Sequence, residues 1–336
     1  MKALRRSIIL LPSDHEYDCT GAFNPACVRD GDDIHVVYRA SDANYKGTLG
    51  YARLDLAHNT LERSTGPVLA PSAEYDQFGV EDPKLIRWGR GWLLLHHAIG
   101  TEGAWVGVST AGAYTQDFCH IRKLGVIRPY VPLSKVLPRA TDLIRPKLLA
   151  IRAEYAERPD SQTLWGKDIV LFPEKFGGDY LAIYRVPPVI SIAPLADLAD
   201  TGGFWHSECL DPRRVLLSPE HWFESRSISP SAPPFLTSHG WLLVFHCVDT
   251  DTDGNARYAA SAALLDRENP CRVLGRLTEP LLEPEHEWER YGTTGNCVYV
   301  SSVDVRDDTL YIYYGAADVR SAVAAYALSD VLAAMR

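Results

Sequence analysis

Two adjacent carboxylates in the segment GVEDPKL, residues 79–85, could supply acid–base chemistry. Pro83 restricts the residue before it, so the sequence predicts an extended backbone at Asp82. Because neighbouring side chains of an extended segment point to opposite sides, only one of Glu81 and Asp82 is expected to face a pocket. A carboxyl group partly removed from water can have a raised pKa and serve as a general acid. A solvated acidic turn is the alternative for this segment taken alone.

Two cations further along the chain could bind an anion. Lys167 precedes an apolar strand, and Arg185 stands at the end of the next strand. If both side chains reach one pocket, they could hold phosphate. The pattern alone does not distinguish such a site from two surface cations.

The C-terminal part of the chain combines polar and aromatic residues. Glu289, Asn296 and Asp318 lie among several tyrosines and tryptophans. Sugars are bound by flat apolar faces together with paired hydrogen-bonding groups, and this mixture is typical of such pockets.

A repeated strand signal must position these residues. A Gly or Asp turn, an apolar and aromatic strand and a polar residue recur in five copies, which end at Ala40, Ala98, Val186, Val248 and Ala316. A second apolar strand follows each copy, and helical periodicity is scarce. The sequence therefore predicts an all-β protein, a five-bladed β-propeller that forms one catalytic domain over residues 1–336. A β-sandwich with a second domain is the alternative.

A propeller brings equivalent residues of its repeat together around a central channel. The polar positions of the repeat are Arg39, His96 or His97, Arg185 and His246. Each one alone would be explained by a surface ion pair or a satisfied buried histidine. Their recurrence predicts that they line the channel, and we expect His246 to bind substrate.

The interval between the second and third copies is longer than the others because of an insertion at about residues 126–165. Apolar residues at helical spacing over residues 143–155 predict a short helix there. The insertion is expected to decorate the surface or form an oligomer contact. The alternative is a lid that narrows the pocket.

Composition argues against several partners. The net charge is −9, and acidic and basic residues are mixed along the chain, so nucleic acid is not expected to bind. The seven cysteines are scattered without a C-x-x-C pair, which predicts neither a disulfide framework nor a zinc site. Apolar runs are too short for a signal peptide or a membrane span. We expect a cytoplasmic protein with no metal and no membrane partner, and a homo-oligomer is left open.

The chain resembles family 130 of the glycoside hydrolases, which contains β-mannoside phosphorylases and β-mannosidases. The matching segments are FNPA and VVYRA (23–40), GVEDPKL (79–85), KDIVLFPEK (167–175), SAPPF and GWLLVFHCV (231–248), residues 263–285, and YYGAAD (313–318). They cover nearly the whole chain. The resemblance implies a five-bladed propeller, in agreement with the repeat.

The resemblance also implies roles for individual residues. Asp82 would be the catalytic acid, and its proton would reach the glycosidic oxygen through a substrate hydroxyl while phosphate attacks from the opposite face with inversion. The positions matching the mannosyl subsite are Asn24, Arg39 and Asp318, and those matching the phosphate are Lys167 and Arg185. Tyr184 stands where the phosphorylases usually carry a histidine, and Trp105 where they carry an arginine. Tyr184 could still donate a hydrogen bond to phosphate.

Phosphorolysis and hydrolysis differ in what the pocket must contain. An inverting hydrolase needs a second carboxylate as base, for which Glu224 and Glu174 are the candidates, whereas a phosphorylase needs cations that orient phosphate. We expect phosphorolysis of mannosyl-glucose or small manno-oligosaccharides, with inorganic phosphate as co-substrate and no other cofactor. An inverting β-mannosidase is the first alternative. A non-catalytic carbohydrate-binding propeller, which would not need Asp82, is the second.

Overall fold

The computed structural model describes residues 2–198, 203–206, 208–251 and 253–335. Strands make up 51% of the chain and helices 15%, so the protein is mostly β, in agreement with the predicted class. Most strands belong to five antiparallel groups of consecutive strands, which we number in chain order.

The first strand, β1, is Arg5–Leu10. Group 1 contains β2 (Gly21–Asp30), β3 (Asp33–Ser41), β4 (Gly47–Asp55) and β5 (Thr60–Arg63). Group 2 contains β6 (Gly79–Trp88), β7 (Gly91–Glu102), β8 (Trp105–Thr115) and β9 (Arg122–Arg128). After the short pair β10 (Val131–Pro132) and β11 (Thr163–Leu164), group 3 contains β12 (Ile169–Phe176), β13 (Asp179–Val186), β14 (Val189–Leu195) and β15 (Val215–Leu217).

Group 4 contains β16 (Ser227–Pro230), β17 (Phe235–Thr237), β18 (Gly240–Thr250), β19 (Ala256–Leu265) and β20 (Val273–Arg276). Group 5 contains β21 (Val298–Arg306), β22 (Thr309–Ala316), β23 (Arg320–Ala327) and, paired antiparallel with β23, the N-terminal β1. One parallel pair, Ala22 with Arg320, joins group 5 to group 1. The five copies of the repeat correspond to one strand in each group: β3, β7, β13, β18 and β22.

The helices are short and lie outside the strand groups. They are α1 (Leu133–Val136), α2 (Arg145–Glu154), α3 (Gly203–His206), α4 (Glu287–Arg290) and α5 (Leu328–Ala333). Single 3-10 turns occur at Glu16–Asp18, Glu74–Asp76, Leu137–Arg139, Pro159–Ser161, Glu208–Leu210, Pro212–Arg214 and Trp222–Glu224. No helix among the described residues is long and apolar enough to cross a membrane.

The hydrophobic core consists of five clusters, and each cluster is shared by two groups. Groups 1 and 2 bury one between them, and the same holds for groups 2 and 3, 3 and 4, and 4 and 5. The fifth cluster joins group 5 to group 1, with Ile9 and Tyr313 against Val36. Every group therefore contributes to two apolar clusters, one shared with each neighbouring group. Within the described residues, groups 2, 3 and 4 are separate sheets that form no strand pairs with their neighbours.

The insertion contains the predicted helix. Pro146 in the first turn suits the start of α2, because its missing N–H would have no helical partner there. Leu148 is fully buried in the cluster between groups 2 and 3, where it packs with side chains of both. The insertion is therefore anchored to the body of the protein.

Candidate active site

Asp82 lies in a buried pocket, but its backbone differs from the prediction. Its φ is 48°, so it is left-handed rather than extended, at a β-bulge of β6 between Glu81 and Lys84. The bulge disrupts strand alternation, and both Glu81 and Asp82 face the same cavity. The expectation that only one of them would face a pocket was wrong for this reason.

Three other polar residues of the site share this left-handed backbone. Asn24, Asp168 and Asp318 have φ values of 49°, 57° and 52°. Asn and Asp tolerate this conformation better than other residues with a side chain. Each of the four contributes a polar side chain to the wall of a cavity. Strained backbone is frequent at functional sites. Here Asn24 lies in β2 and Asp82 in β6, while Asp168 precedes β12 and Asp318 lies between β22 and β23.

The carboxylate of Asp82 is held by three donors. Asn24 Nδ2 donates to Oδ1 at 2.7 Å, Arg39 Nη1 lies 3.4 Å from the same oxygen, and His97 Nδ1 lies 3.1 Å from Oδ2. Burial would raise the pKa of Asp82, but the charge of Arg39 and the hydrogen bond from His97 hold it well below its usual range. The predicted raised pKa is therefore wrong, and these donors favour the ionised form of Asp82.

Two further carboxylates in the Asp82 cavity behave differently. Glu81 pairs with Arg39 Nη2 at 2.6 Å, yet burial raises the pKa of Glu81. Burial also raises the pKa of Asp318, although Thr294 donates a hydrogen bond to it at 2.5 Å. The cavity thus places one charged carboxylate beside two that take up a proton more readily.

This cavity, which we call the acid cavity, has a volume of about 250 Å³. It brings together the predicted residues Asn24, Arg39, Asp82 and Asp318. Its remaining wall is Glu81, His97, Ile99, Val108, Trp165, Lys167, Tyr258, Thr294, Cys297 and Tyr299. Aromatic faces and paired hydrogen-bonding groups of this kind suit a sugar ring.

A second cavity of about 250 Å³ adjoins the first. The two share four wall residues: Trp165, Lys167, Tyr258 and Tyr299. Four cations line this second cavity, which we call the cation cavity: Lys147, Lys167, Arg185 and Arg226. Lys147 comes from α2 of the insertion and Arg226 from the residue before β16, and the sequence analysis selected neither.

The cation cavity contains more cations than carboxylates, because Glu154 and Asp168 are the only carboxylates in the described part of the chain that line it beside the four cations. Among the described residues, Lys147, Lys167 and Arg226 form no ion pair with a carboxylate, and Lys167 Nζ instead lies 5.1 Å from the centre of the Trp165 ring. Burial and the charge of Arg226 lower the pKa of Lys147. Only Arg185 is paired, with Asp168 at 3.3 Å. Converging cations without carboxylate partners are suited to hold an anion.

His246 also lines the cation cavity, but its ring nitrogens are already engaged. Nε2 lies 2.8 Å from the carbonyl oxygen of Val300, and Nδ1 lies 3.4 Å from Ser229 Oγ. Burial lowers the pKa of His246 to about 3, so the ring is neutral. It contributes to the wall through its ring face, which lies 4.0 Å from that of Tyr299.

Tyr184 does not reach either cavity, which contradicts its predicted contact with phosphate. Alternation along β13 directs it and Arg185 to opposite faces. Its hydroxyl donates to the carbonyl oxygen of Cys209 at 3.2 Å, and its ring packs edge-on against Trp205. Trp105 is also absent from the cavity walls.

Glu289 and Glu224 lie outside both cavities, in buried ion pairs. Glu289 is fully buried, pairs with Arg6 at 3.1 Å and accepts a hydrogen bond from Tyr314 at 2.6 Å. Glu224 is fully buried and pairs with Arg276 at 2.7 Å.

Glu174 and Asn296 also lie outside the walls of the acid cavity and the cation cavity. Glu174 lines a separate cavity with Pro173 and Trp241, so neither Glu224 nor Glu174 is placed to activate water beside Asp82. Asn296 lies outside both cavity walls and contacts Asp251 at 3.4 Å. Among the described residues there is no cluster of three side chains suited to hold a metal ion.

Comparison with known proteins assigns the family. The sequence profile of the beta-1,4-mannooligosaccharide phosphorylases, glycoside hydrolase family 130, matches residues 4–336. The chain belongs to this family. The resemblance inferred from the motifs is confirmed, and the protein is an enzyme of a phosphorylase family.

Similar proteins extend over almost the whole chain. A 1,2-beta-oligomannan phosphorylase from Thermoanaerobacter sp. strain X514 is 30% identical over 339 residues, covering 98% of both chains. A beta-1,2-mannobiose phosphorylase from Listeria innocua is 29% identical over 86% of this chain and 70% of that protein. A solved beta-1,2-mannobiose phosphorylase from Listeria innocua, in complex with β-1,2-mannobiose, superposes with a TM-score of 0.70 at 23% identity, over 97% of this chain and 95% of that one. The last comparison establishes a shared fold.

Proposed function

We propose that this family 130 enzyme is an inverting phosphorylase that cleaves β-mannosides with inorganic phosphate to give mannose 1-phosphate. The observation that carries the proposal is the cation cavity beside the acid cavity: Arg185 lines it together with three cations that form no ion pair with any carboxylate of the described residues. β-1,2-Mannobiose and its longer homologues are the first substrates to test, because the relatives at about 30% identity are named for that linkage. The family profile is named for the β-1,4 linkage, which is the second.

The mannosyl unit would occupy the acid cavity. Asn24, Arg39 and Asp318 line it and offer donors and acceptors to sugar hydroxyls. Phosphate in the cation cavity would attack the anomeric carbon while the bond to the leaving sugar breaks on the opposite side. The leaving oxygen receives a proton from Asp82 through a substrate hydroxyl, so the β-mannoside gives α-mannose 1-phosphate.

Because Arg39 and His97 favour the charged form of Asp82, acid catalysis requires that phosphate and substrate raise its pKa. A phosphate charge about 6 Å away, at an effective dielectric constant of about 20, interacts with a carboxylate by about 2.8 kcal/mol, equivalent to about two pKa units. A phosphate dianion and a sugar that excludes water would both favour the protonated form. Phosphate and substrate thus shift Asp82 toward the protonated form that acid catalysis needs.

Hydrolysis is less well supported by the contents of the cation cavity. Two carboxylates line this cavity. Glu154 is exposed at the end of α2, and Asp168 is bound to Arg185 at 3.3 Å and accepts a hydrogen bond from Tyr299 at 3.1 Å. Burial would raise the pKa of Asp168, while Arg185 and Lys167 hold it well below its usual range. A carboxylate so strongly stabilised in its charged form is a weak base toward water.

The five strand groups are proposed to be the blades of one propeller. The support is cyclic packing: five apolar clusters join each group to the next, and the fifth joins group 5 to group 1. Pairing of β1 with β23 would close the ring by completing the last blade with the first strand of the chain. The acid cavity, lined from groups 1, 2, 4 and 5 and the segment before β12, would be the mouth of the central channel.

The insertion is proposed to form the outer wall of the cation cavity. Ile151, Tyr155 and Lys147 of this segment line the cavity, and Leu148 anchors α2 to the core. This position agrees better with the lid alternative than with surface decoration.

The proposal is tested by incubating the enzyme with β-1,2-mannobiose or β-1,4-mannobiose, with and without phosphate. Product in the form of mannose 1-phosphate, absent without phosphate, is the expected result. Release of free mannose at equal rates in both conditions would indicate a β-mannosidase. Asp82→Asn is expected to abolish turnover. If this variant still binds mannobiose, Asp82 is needed for catalysis and not for sugar binding. Absence of turnover in the wild-type protein would instead indicate a non-catalytic binding protein.

A further inference from the structure

A buried histidine links the two cavities. His97, on β7, is 4% exposed and lies between Asp82 and Asp168. Its Nδ1 is 3.1 Å from Asp82 Oδ2. On its other side, the backbone N–H of Asp168 donates to Nε2 at 3.1 Å.

These contacts determine which ring nitrogen carries the proton. Because Nε2 accepts a hydrogen bond from a backbone N–H, its lone pair is occupied, and the proton of the neutral ring must lie on Nδ1. The Nδ1–H then points at Asp82 Oδ2. Asn24 donates to the other oxygen at 2.7 Å, so the two donors together fix the plane of the carboxylate.

We infer that His97 is a positioning residue for catalysis: it orients the Asp82 carboxylate through Nδ1–H, and the Asp168 backbone holds the ring in the tautomer that does so. The inference rests on the proposed function, in which Asp82 is the acid. His97 acts through Asp82, in the way that second partners of a catalytic group orient it and tune its basicity.

Charged groups surround His97 on both sides. Asp82 is in contact with Arg39, and Asp168 is in contact with Arg185, while Lys84 is buried below the Tyr299 ring. Burial would lower the pKa of His97, but the nearby carboxylates of Asp168 and Asp82 raise it above its ordinary value. Loss of the ring would remove one of the groups that favour ionised Asp82, and the pKa of Asp82 would rise.

The test compares His97→Ala with His97→Asn, whose amide can replace the Nδ1–H donor. We expect His97→Ala to lower kcat/KM by about 10- to 100-fold, because small misplacements of a reacting group cost up to about 10²-fold. The high-pH limb of the kcat profile, where the acid of the enzyme–substrate complex loses its proton, should move upward by about one pH unit. His97→Asn should restore most of the rate and return the limb toward its wild-type position.

The matched control is His96→Ala, the same truncation one residue earlier. His96 is buried but absent from both cavity walls, so its loss should leave the pH profile unchanged. An unshifted limb in His97→Ala, or equal shifts in both alanine variants, would overturn the inference.

A second readout does not depend on turnover. In wild-type protein with 15N-labelled histidine, assigned by means of His97→Asn, the His97 ring should carry its proton on Nδ1 at neutral pH. A neutral ring with its proton on Nε2 would refute the geometry. If the wild type is inactive on all mannosides but the tautomer is as expected, the proposed function fails and the positioning contact stands.

Discussion

Lys147 offers the sharpest test of how the insertion serves the reaction. It stands on α2, lines the cation cavity and forms no ion pair with a carboxylate among the described residues. Replacement by Ala removes one cation from the predicted phosphate site without touching the acid cavity, because Lys147 does not line the latter. The effect should therefore fall on phosphate.

The expected size follows from the exposure of the side chain. A hydrogen bond to a charged group contributes about 1.5–3 kcal/mol, and the partial exposure of Lys147 places it at the lower end of that range. A loss of about 1.4 kcal/mol is a tenfold change in affinity. Lys147→Ala should thus raise the KM for phosphate about tenfold, while kcat and the KM for mannobiose change less than twofold.

Initial rates measured over a matrix of phosphate and mannobiose concentrations separate these constants. Arg152→Ala is the matched control, because it removes one positive charge from an exposed position of the same helix. An unchanged phosphate KM in Lys147→Ala would refute the placement of phosphate in this cavity. Equal increases in Lys147→Ala and Arg152→Ala would mean that long-range charge, not contact, is responsible.

Three further variants test other parts of the account. Gly315→Ala should reduce kcat/KM at least tenfold, because the added Cβ would overlap Asn24 Oδ1 and displace the side chain that donates to Asp82. An unchanged circular dichroism spectrum would show that the variant is still folded. Glu289→Ala should lower the free energy of unfolding in urea by about 3 kcal/mol, because it leaves the buried Arg6 guanidinium with only the exposed Glu285 as an ion-pair partner. Burial lowers the pKa of His96 to about 4. The unfolded state therefore binds the extra proton as pH falls below 6.5, and His96 alone should contribute about 2 kcal/mol to the loss of stability from pH 7 to 5, a contribution that His96→Asn should remove.

The repeat made the strands predictable, and the motifs made part of the site predictable. Turn, apolar strand and polar residue are local signals, and each of the five copies is a strand. Asn24, Arg39, Asp82 and Asp318 do meet in one cavity. Of these four residues only Arg39 is a position of the repeat, and the other three came from the motifs that resemble family 130.

Two of the errors concern features that local sequence does not encode. The bulge that turns both Glu81 and Asp82 into the cavity depends on pairing with β7. Lys147 reaches the cavity only because the insertion folds back against groups 2 and 3. Tyr184 is different, because strand alternation, a local signal, places it and Arg185 on opposite faces of β13.

The most direct test of the central claim is a proton NMR time course of β-1,2-mannobiose cleavage in phosphate buffer. If Asp82 and the cation cavity act on opposite faces of one mannosyl unit, α-mannose 1-phosphate forms as the first product in equal amount to released mannose. Initial formation of the β anomer, or of mannose alone at a rate independent of phosphate, would contradict the account.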